Sequence, residues 1–345
     1  MKALIWQKHG RIELINKPKP TVQHAFDAVV KVTLSSICTS DLHIIHGFVP
    51  KAKEGIVLGH EFVGEIVELG SGITNFKIGD RVAVTCETFC GECYFCKRGY
   101  INNCIKGGWE IGCTIDGCQA EYVRVPFAQN GMTKLPDNVS DKNALLVGDV
   151  LSSGYFGAEM CEIKPDDTIV VIGCGPVGIC AMQSARVLGA KTIIGLDIDE
   201  YRLNLVKENN FADVIINPNK EDYMSIIKSM TDSRGADGVI ECAGSNTTFE
   251  MAWQIARPNG VVALVAMYDK AQSLPLPDMY GKNLIFKTGG VDAIHCEKLV
   301  QLIAEGKINT DVLISKGIKL SEIKQGYKDF ENKKDNCMKI AVIND

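Results

Sequence analysis

The sequence predicts an α/β protein in two parts, a β-rich amino-terminal region followed by a doubly wound parallel sheet. Length points to two parts, since 345 residues exceed a single core and suit domains of about 150 residues each. Up to about residue 150, short apolar stretches rich in β-branched residues alternate with glycine turns. After Asp166 the texture changes to strand–helix alternation, which indicates a parallel sheet with covering helices.

In chain order, residues 28–34, 62–69 and 81–85 read as strands, each bounded by glycine or Gly-Asp turns. Residues 168–172 form a short apolar run of the kind a fully buried strand carries. Helical spacing follows over 176–188, then a strand over 192–197 and a helix over 200–209. A strand over 214–216 and a helix over 223–230 continue the alternation, with further strands over 238–241, 261–265 and 284–287. The tail predicts a helix over 297–305 and an apolar strand over 338–343. These readings place the parts at residues 1–151, 152–290 and 291–345.

Hydrophobic residues make up 46% and charged residues 23% of the chain, enough apolar surface to offset the entropy of ordering and exclude general disorder. Lysine and arginine (37) against aspartate and glutamate (42) leave a net charge of −5, so neither nucleic acid nor an anionic membrane is expected as a partner. The longest notable uncharged run, 168–185, is interrupted by Gly173, Gly175, Pro176 and Gly178 and reads as strand, turn and helix start rather than a membrane span. The apolar stretch at Ala3-Leu4-Ile5-Trp6 is too short for a secretory signal, so a cytoplasmic protein is expected. Its 14 cysteines then call for an explanation other than disulfides, and six of them fall between Cys86 and Cys113.

Gly173-Cys174-Gly175-Pro176-Val177-Gly178 has the form G-x-G-x-x-G, after a predicted strand and at the start of a predicted helix. Gly173 permits a tight turn, Gly175 lets backbone approach a pyrophosphate, and Gly178 lets helix and strand pack closely. The helix N-terminus offers unpaired N–H groups to phosphate. Asp197, 19 residues beyond Gly178, can accept hydrogen bonds from ribose hydroxyls, which points to NAD. A glycine turn serving another nucleotide, or none, is the alternative. Arg202 can pair with Asp197, reach the ribose, or sit as a solvated helix charge.

Cys90, Cys93, Cys96 and Cys104 have the spacing C-x2-C-x2-C-x7-C in a loop rich in glycine and polar residues. Four thiolates can close a tetrahedral shell around zinc with no open position, a structural site; an iron–sulfur cluster also takes four cysteines. A second, dispersed set consists of Cys38, His60 and Asp149, with Ser40, Asp41, His43 and Glu61 as polar neighbours. Three protein ligands plus an open position is the pattern of catalytic zinc. Taken singly, Cys38 also suits a core, His60 a turn and Asp149 a helix cap.

Cys38-Thr39-Ser40-Asp41, Gly59-His60-Glu61, the four-cysteine lobe, Gly173 to Gly178 and Asp197 together resemble the zinc-dependent medium-chain alcohol and polyol dehydrogenases, over nearly the full length. The resemblance implies a GroES-like catalytic domain interrupted by a Rossmann domain, with the C-terminal segment returning to the catalytic domain. It implies two zinc ions per chain, one held by Cys38, His60 and Asp149 with Glu61 an alternative ligand. The expected reaction is hydride exchange between a small alcohol or ketone and NAD, with zinc as Lewis acid. Ser40 would hydrogen-bond the alcohol oxygen and pass its proton on, and His43 would deliver it to solvent. Asp41 would fix the tautomer of His60, and Trp109 could wall the substrate pocket or simply pack.

Asp149 resembles the third ligand of bacterial secondary alcohol dehydrogenases, whereas several of those lack the cysteine lobe. A polyol, diol or threonine dehydrogenase on the same framework, or a non-catalytic scaffold binding zinc and NAD, are the competing readings. The family's Gly-Gly-Phe-Ala-Glu-Tyr stretch stands here as Gly117-Cys118-Gln119-Ala120-Glu121-Tyr122. A homodimer or homotetramer is expected, with the strand at 284–287 as a pairing edge.

Overall fold

The computed structural model describes every residue except His9 and Asp345. The chain divides into two compact units, Met1–Ser152 with Asp292–Asp345, and Ser153–Val291.

The first unit opens with an antiparallel pair, β1 (Lys2–Gln7) and β2 (Arg11–Asn16). Its main sheet is built on β3 (Ala28–Ser36) and β4 (Phe62–Leu69), paired antiparallel, with the short helix α1 (Thr39–Ile45) following β3. β5 (Arg81–Val84) extends the sheet from β4, β6 (Tyr122–Val125) pairs with β3, and β7 (Met132–Lys134) pairs with β5. Val30, Val32, Phe62, Ile66, Val82 and Val123 meet in one apolar cluster, because alternate residues of a strand share a face.

The second unit begins in α2 (Ser152–Met160) and contains six parallel strands: β8 (Thr168–Ile172), β9 (Thr192–Leu196), β10 (Val214–Ile216), β11 (Ala236–Glu241), β12 (Ala256–Leu264) and β13 (Ile285–Thr288). Their order is β10-β9-β8-β11-β12-β13, the doubly wound arrangement in which strand order reverses beside the first strand. All five residues of β8 are buried, as a central parallel strand covered on both faces requires. Helices α3 (Pro176–Val187), α4 (Glu200–Glu208), α5 (Tyr223–Met230) and α6 (Asn246–Ile255) make the connections. β12 starts at Ala256, ahead of the predicted strand, because a register shift opposite Ala236 and Gly238 admits the polar run Arg257-Pro258-Asn259-Gly260.

The chain then returns to the first unit through α7 (Cys296–Ala304), β14 (Ile314–Lys319), α8 (Ile323–Glu331) and β15 (Lys339–Ile343). β15 pairs antiparallel with β3 and parallel with β14, which completes the order β14-β15-β3-β4-β5-β7. The sequence reading did not anticipate β1, β2, β6, β7, β14, α1, α2, α6 or α8. Most are short, and tertiary contacts set them. Among the described residues, no helix is long and apolar enough to cross a membrane.

Candidate functional site

Backbone register brings the dispersed donors of the first unit together. Ser35 pairs with Phe62, so Cys38 just beyond β3 and His60 just before β4 leave the same edge of the sheet. Asp149 comes from a π-helical turn, Val147–Leu151, seated on β5. That seat requires glycine at 148: an added Cβ would stand 2.0 Å from the Val84 carbonyl oxygen. The Cys86 N–H, donating to the Gly148 carbonyl at 2.9 Å, locks the turn in place. Asp149 Oδ2 then lies 3.5 Å from Cys38 Sγ and 3.2 Å from His60 Nε2, and one donor atom from each residue falls within 4.8 Å of the others.

The surroundings orient each donor. The Cys38 backbone N–H donates to Asp41 Oδ2 at 3.0 Å, and Asp41 Oδ1 stands 3.2 Å from His60 Nδ1, which turns Nε2 toward Asp149. Ser40 Oγ accepts from Cys38 Sγ at 3.7 Å, so its hydroxyl borders the donor set. His43 lies one helical turn further along α1, on the face that Ser40 shares. Glu61 does not join the three donors. Its Oε2 accepts from Lys339 Nζ at 2.5 Å and from the Ser36 hydroxyl, while Oε1 has no partner.

Electrostatics here reflects anionic groups crowded away from water. Burial opposes a charged His60, yet the carboxylates of Asp41 and Asp149 outweigh it and hold the imidazole well above its ordinary pKa. Burial likewise opposes a charged Asp149, and the hydrogen bond and charge of His60 prevail to keep its carboxyl below the usual range. Burial pushes the Cys38 thiol up and Glu61 up to about 7, both against the pull of Lys339. A thiol, an imidazole and a carboxylate that share protons at this spacing fit a divalent ion that takes the protons' place. Mixed sulfur, nitrogen and oxygen donors, three in number, suit zinc with one position left open.

The four-cysteine lobe is a separate cluster whose sulfur atoms also lie within 4.8 Å of one another. Sγ–Sγ distances are 3.4 Å for Cys93–Cys96, 3.6 Å for Cys90–Cys104 and 4.0 Å for Cys90–Cys96. A tetrahedron with metal–sulfur bonds of about 2.3 Å has edges of roughly 3.8 Å. The lobe therefore fits one zinc ion, whereas a cluster of several irons and bridging sulfides needs the thiolates further apart. N–H groups of Cys90 and Lys106 point at Cys104 Sγ at 3.3 and 3.4 Å, as a thiolate requires.

In the second unit, Gly173 has φ +96°, and a Cβ on Gly178 would lie 1.8 Å from the Gly173 carbonyl oxygen. The loop thus closes onto the first turn of α3, with Gly175 as N-cap and Pro176 and Val177 opening the helix. Asp197 follows β9 and braces the loop. Its Oδ2 accepts the Cys174 N–H at 2.7 Å and its Oδ1 the Asp199 N–H at 2.9 Å. Arg202 Nη1 stands 3.8 Å from Asp197 Oδ2, and Nε 3.9 Å from Asp199, so its charge is shared between two carboxylates. Trp109 packs its ring edge-on to His60 with centroids 5.6 Å apart, and Lys51 Nζ lies over the indole at 5.3 Å.

Lys339, Ser36 and Tyr327 escaped the sequence reading. The signal for Lys339 was a single charge in the otherwise apolar strand Ile340-Ala341-Val342-Ile343 and Met338.

Residues 24–137 match the family model described as alcohol dehydrogenase GroES-like domain, and residues 176–305 the model described as zinc-binding dehydrogenase. An alcohol dehydrogenase of Cupriavidus necator is 34% identical over 366 positions, covering 99% of this chain and 98% of that protein. The solved alcohol dehydrogenase from Thermus sp. ATN1 superposes with a TM-score of 0.93 at 34% identity, over 100% of both chains. The NADP-dependent isopropanol dehydrogenase of Thermoanaerobacter brockii is 29% identical over 352 positions, covering 99% of each.

Proposed function

We propose that this chain, which belongs to the zinc-dependent medium-chain dehydrogenase family, catalyses reversible oxidation of a small secondary alcohol with NAD. The observation that carries the proposal is the convergence of Cys38, His60 and Asp149 beside the Ser40 hydroxyl. When bound, zinc supplies Lewis acidity toward an alcohol or carbonyl oxygen and NAD supplies the hydride acceptor.

The residues of the chain do the rest. Cys38, His60 and Asp149 would hold the metal beside the substrate, while Cys90, Cys93, Cys96 and Cys104 would hold a second, structural ion. Ser40 relays the proton that leaves the alcohol as the carbonyl forms, its Oγ taking that proton while its own hydroxyl proton passes on. His43, one turn along the same helix, carries that proton toward water. Asp41 keeps the Nδ1 proton of His60, so that Nε2 keeps its lone pair for the metal. Trp109, against His60, supplies an apolar wall that favours a small alkyl substituent. Gly173 to Gly178 cradle the pyrophosphate, and Asp197 accepts hydrogen bonds from the adenosine ribose.

The test is a panel of secondary alcohols, diols, polyols and threonine with NAD and with NADP, run beside metal analysis. Fastest turnover of a small secondary alcohol with NAD, on protein carrying two zinc ions per chain, is the expected result. Polyol or threonine turnover well above every secondary alcohol overturns the substrate reading.

A further inference from the structure

Gln119 occupies the family stretch where the sequence departs from phenylalanine, and the structure gives its amide a place in the first unit. The residue is fully buried. Both of its backbone groups are tied down: its N–H donates to the Leu58 carbonyl and its carbonyl accepts from Leu4 N–H, each at 2.9 Å. The side chain cannot drift, because its Cγ fills the space over Gly59, where an added Cβ would come within 2.6 Å of it.

The amide is fully employed. Tyr327, buried in α8, donates its hydroxyl to Gln119 Oε1 at 2.7 Å. That bond fixes which way the amide faces, so Nε2 points the other way, to Asp41 Oδ2 at 3.2 Å and the Ser36 carbonyl at 3.3 Å. Asp41 is fully buried and accepts the Cys38 N–H on that same oxygen. Its other oxygen stands 3.2 Å from His60 Nδ1, an ion-pair contact between two buried atoms that have no hydrogen bond elsewhere. Two hydrogen bonds therefore link Tyr327 through Gln119 to Asp41, and a charge contact links Asp41 to His60 and the donor set. The path begins on a helix from the last tenth of the sequence.

We infer that Gln119, held by Tyr327, is a positioning residue for the Cys38–His60–Asp149 donor set. By pinning the Asp41 carboxylate, it sets the rotation of the His60 ring and keeps Nε2 as the free, ligating nitrogen. Without the amide, Asp41 keeps only the Cys38 N–H on Oδ2, and its plane is free to turn away from His60. The Tyr327 hydroxyl also loses its acceptor. Hydrogen bonds at this remove from a metal typically change its affinity about 10- to 100-fold. The inference rests on the metal-centre reading of the donor set, and the lobe provides an internal reference that shares none of these residues.

The experiment follows zinc release into a chromophoric chelator from the full-length protein, comparing wild type, Gln119→Met and Tyr327→Phe. Methionine keeps the volume and removes the amide. Gln119→Met should weaken zinc at the donor set by about 10- to 100-fold and leave the lobe zinc unchanged. Tyr327→Phe, which removes one hydrogen bond and folds most readily, should weaken the same zinc several-fold. Cobalt substituted at the donor set should show an altered visible spectrum in Gln119→Met. Wild-type affinity and spectrum in both variants would overturn the inference, as would equal weakening at both zinc sites, which marks a merely structural role. A wild-type protein with no zinc at the donor set would instead overturn the metal-centre reading and take this inference with it.

Discussion

Replacing Lys339 by methionine should destabilise the first unit out of proportion to the atoms removed. The side chains of Lys339 and Glu61 are 3% and 0% exposed, and Nζ and Oε2 are 2.5 Å apart. Lys339 also donates to the Ile37 carbonyl at 3.2 Å. Methionine fills nearly the same volume, so cavity formation is a minor part of the cost. What remains is a buried carboxylate with only the Ser36 hydroxyl on one oxygen and nothing on the other. Removing one partner of a buried ion pair costs about 3–5 kcal/mol. For a unit of this size, about 2–4 °C of melting temperature is lost per kcal/mol, or roughly 6–20 °C in all. Calorimetry of the zinc-loaded protein measures this directly, and Lys339→Met/Glu61→Gln is the control. Glutamine removes the stranded charge, so the double variant should be more stable than Lys339→Met alone. A loss under about 1 kcal/mol in Lys339→Met, or a double variant as unstable as the summed single changes, refutes the reasoning.

Asp149→Asn should release zinc from the donor set and abolish turnover with the fold retained, whereas Cys96→Ser should lower the melting temperature through loss of the lobe ion; metal analysis and thermal melts separate the two. Ser40→Ala should lower kcat by about 100-fold or more. His43→Gln should be milder and displace the pH optimum, since solvent replaces it; pH–rate profiles check both. Asp197→Gly should raise KM for NAD and improve use of NADP. A lost hydrogen bond and relieved repulsion of the 2′-phosphate are worth about 2–4 kcal/mol in the ratio of kcat/KM values. Equal wild-type efficiency with both cofactors would mean that Arg202 outweighs Asp197.

What the sequence determined by itself is what is local. The lobe cysteines Cys90, Cys93, Cys96 and Cys104 lie within one loop, and the glycine motif is six consecutive residues, so spacing alone points to a four-thiolate centre and a phosphate-binding turn. Strand–helix alternation after Asp166 is likewise a local pattern, and it announced a doubly wound sheet before any contact was known. The donor set is different, because Asp149 stands 111 positions from Cys38 and no periodicity connects them. Only the Ser35–Phe62 register and the turn seated on β5 bring those atoms within ligand range. Gln119 shows the same limit from the other side. Its departure from the family stretch was visible as a letter, but an amide has meaning only through its acceptor and donor. Those are Asp41, 78 positions earlier, and Tyr327, 208 positions later. Lys339 reaches Glu61 across 278 positions, because β15 returns to pair with β3. A buried charge or amide is stabilised by whatever the fold places within hydrogen-bond reach, and that reach is about 3 Å in space at any distance along the chain.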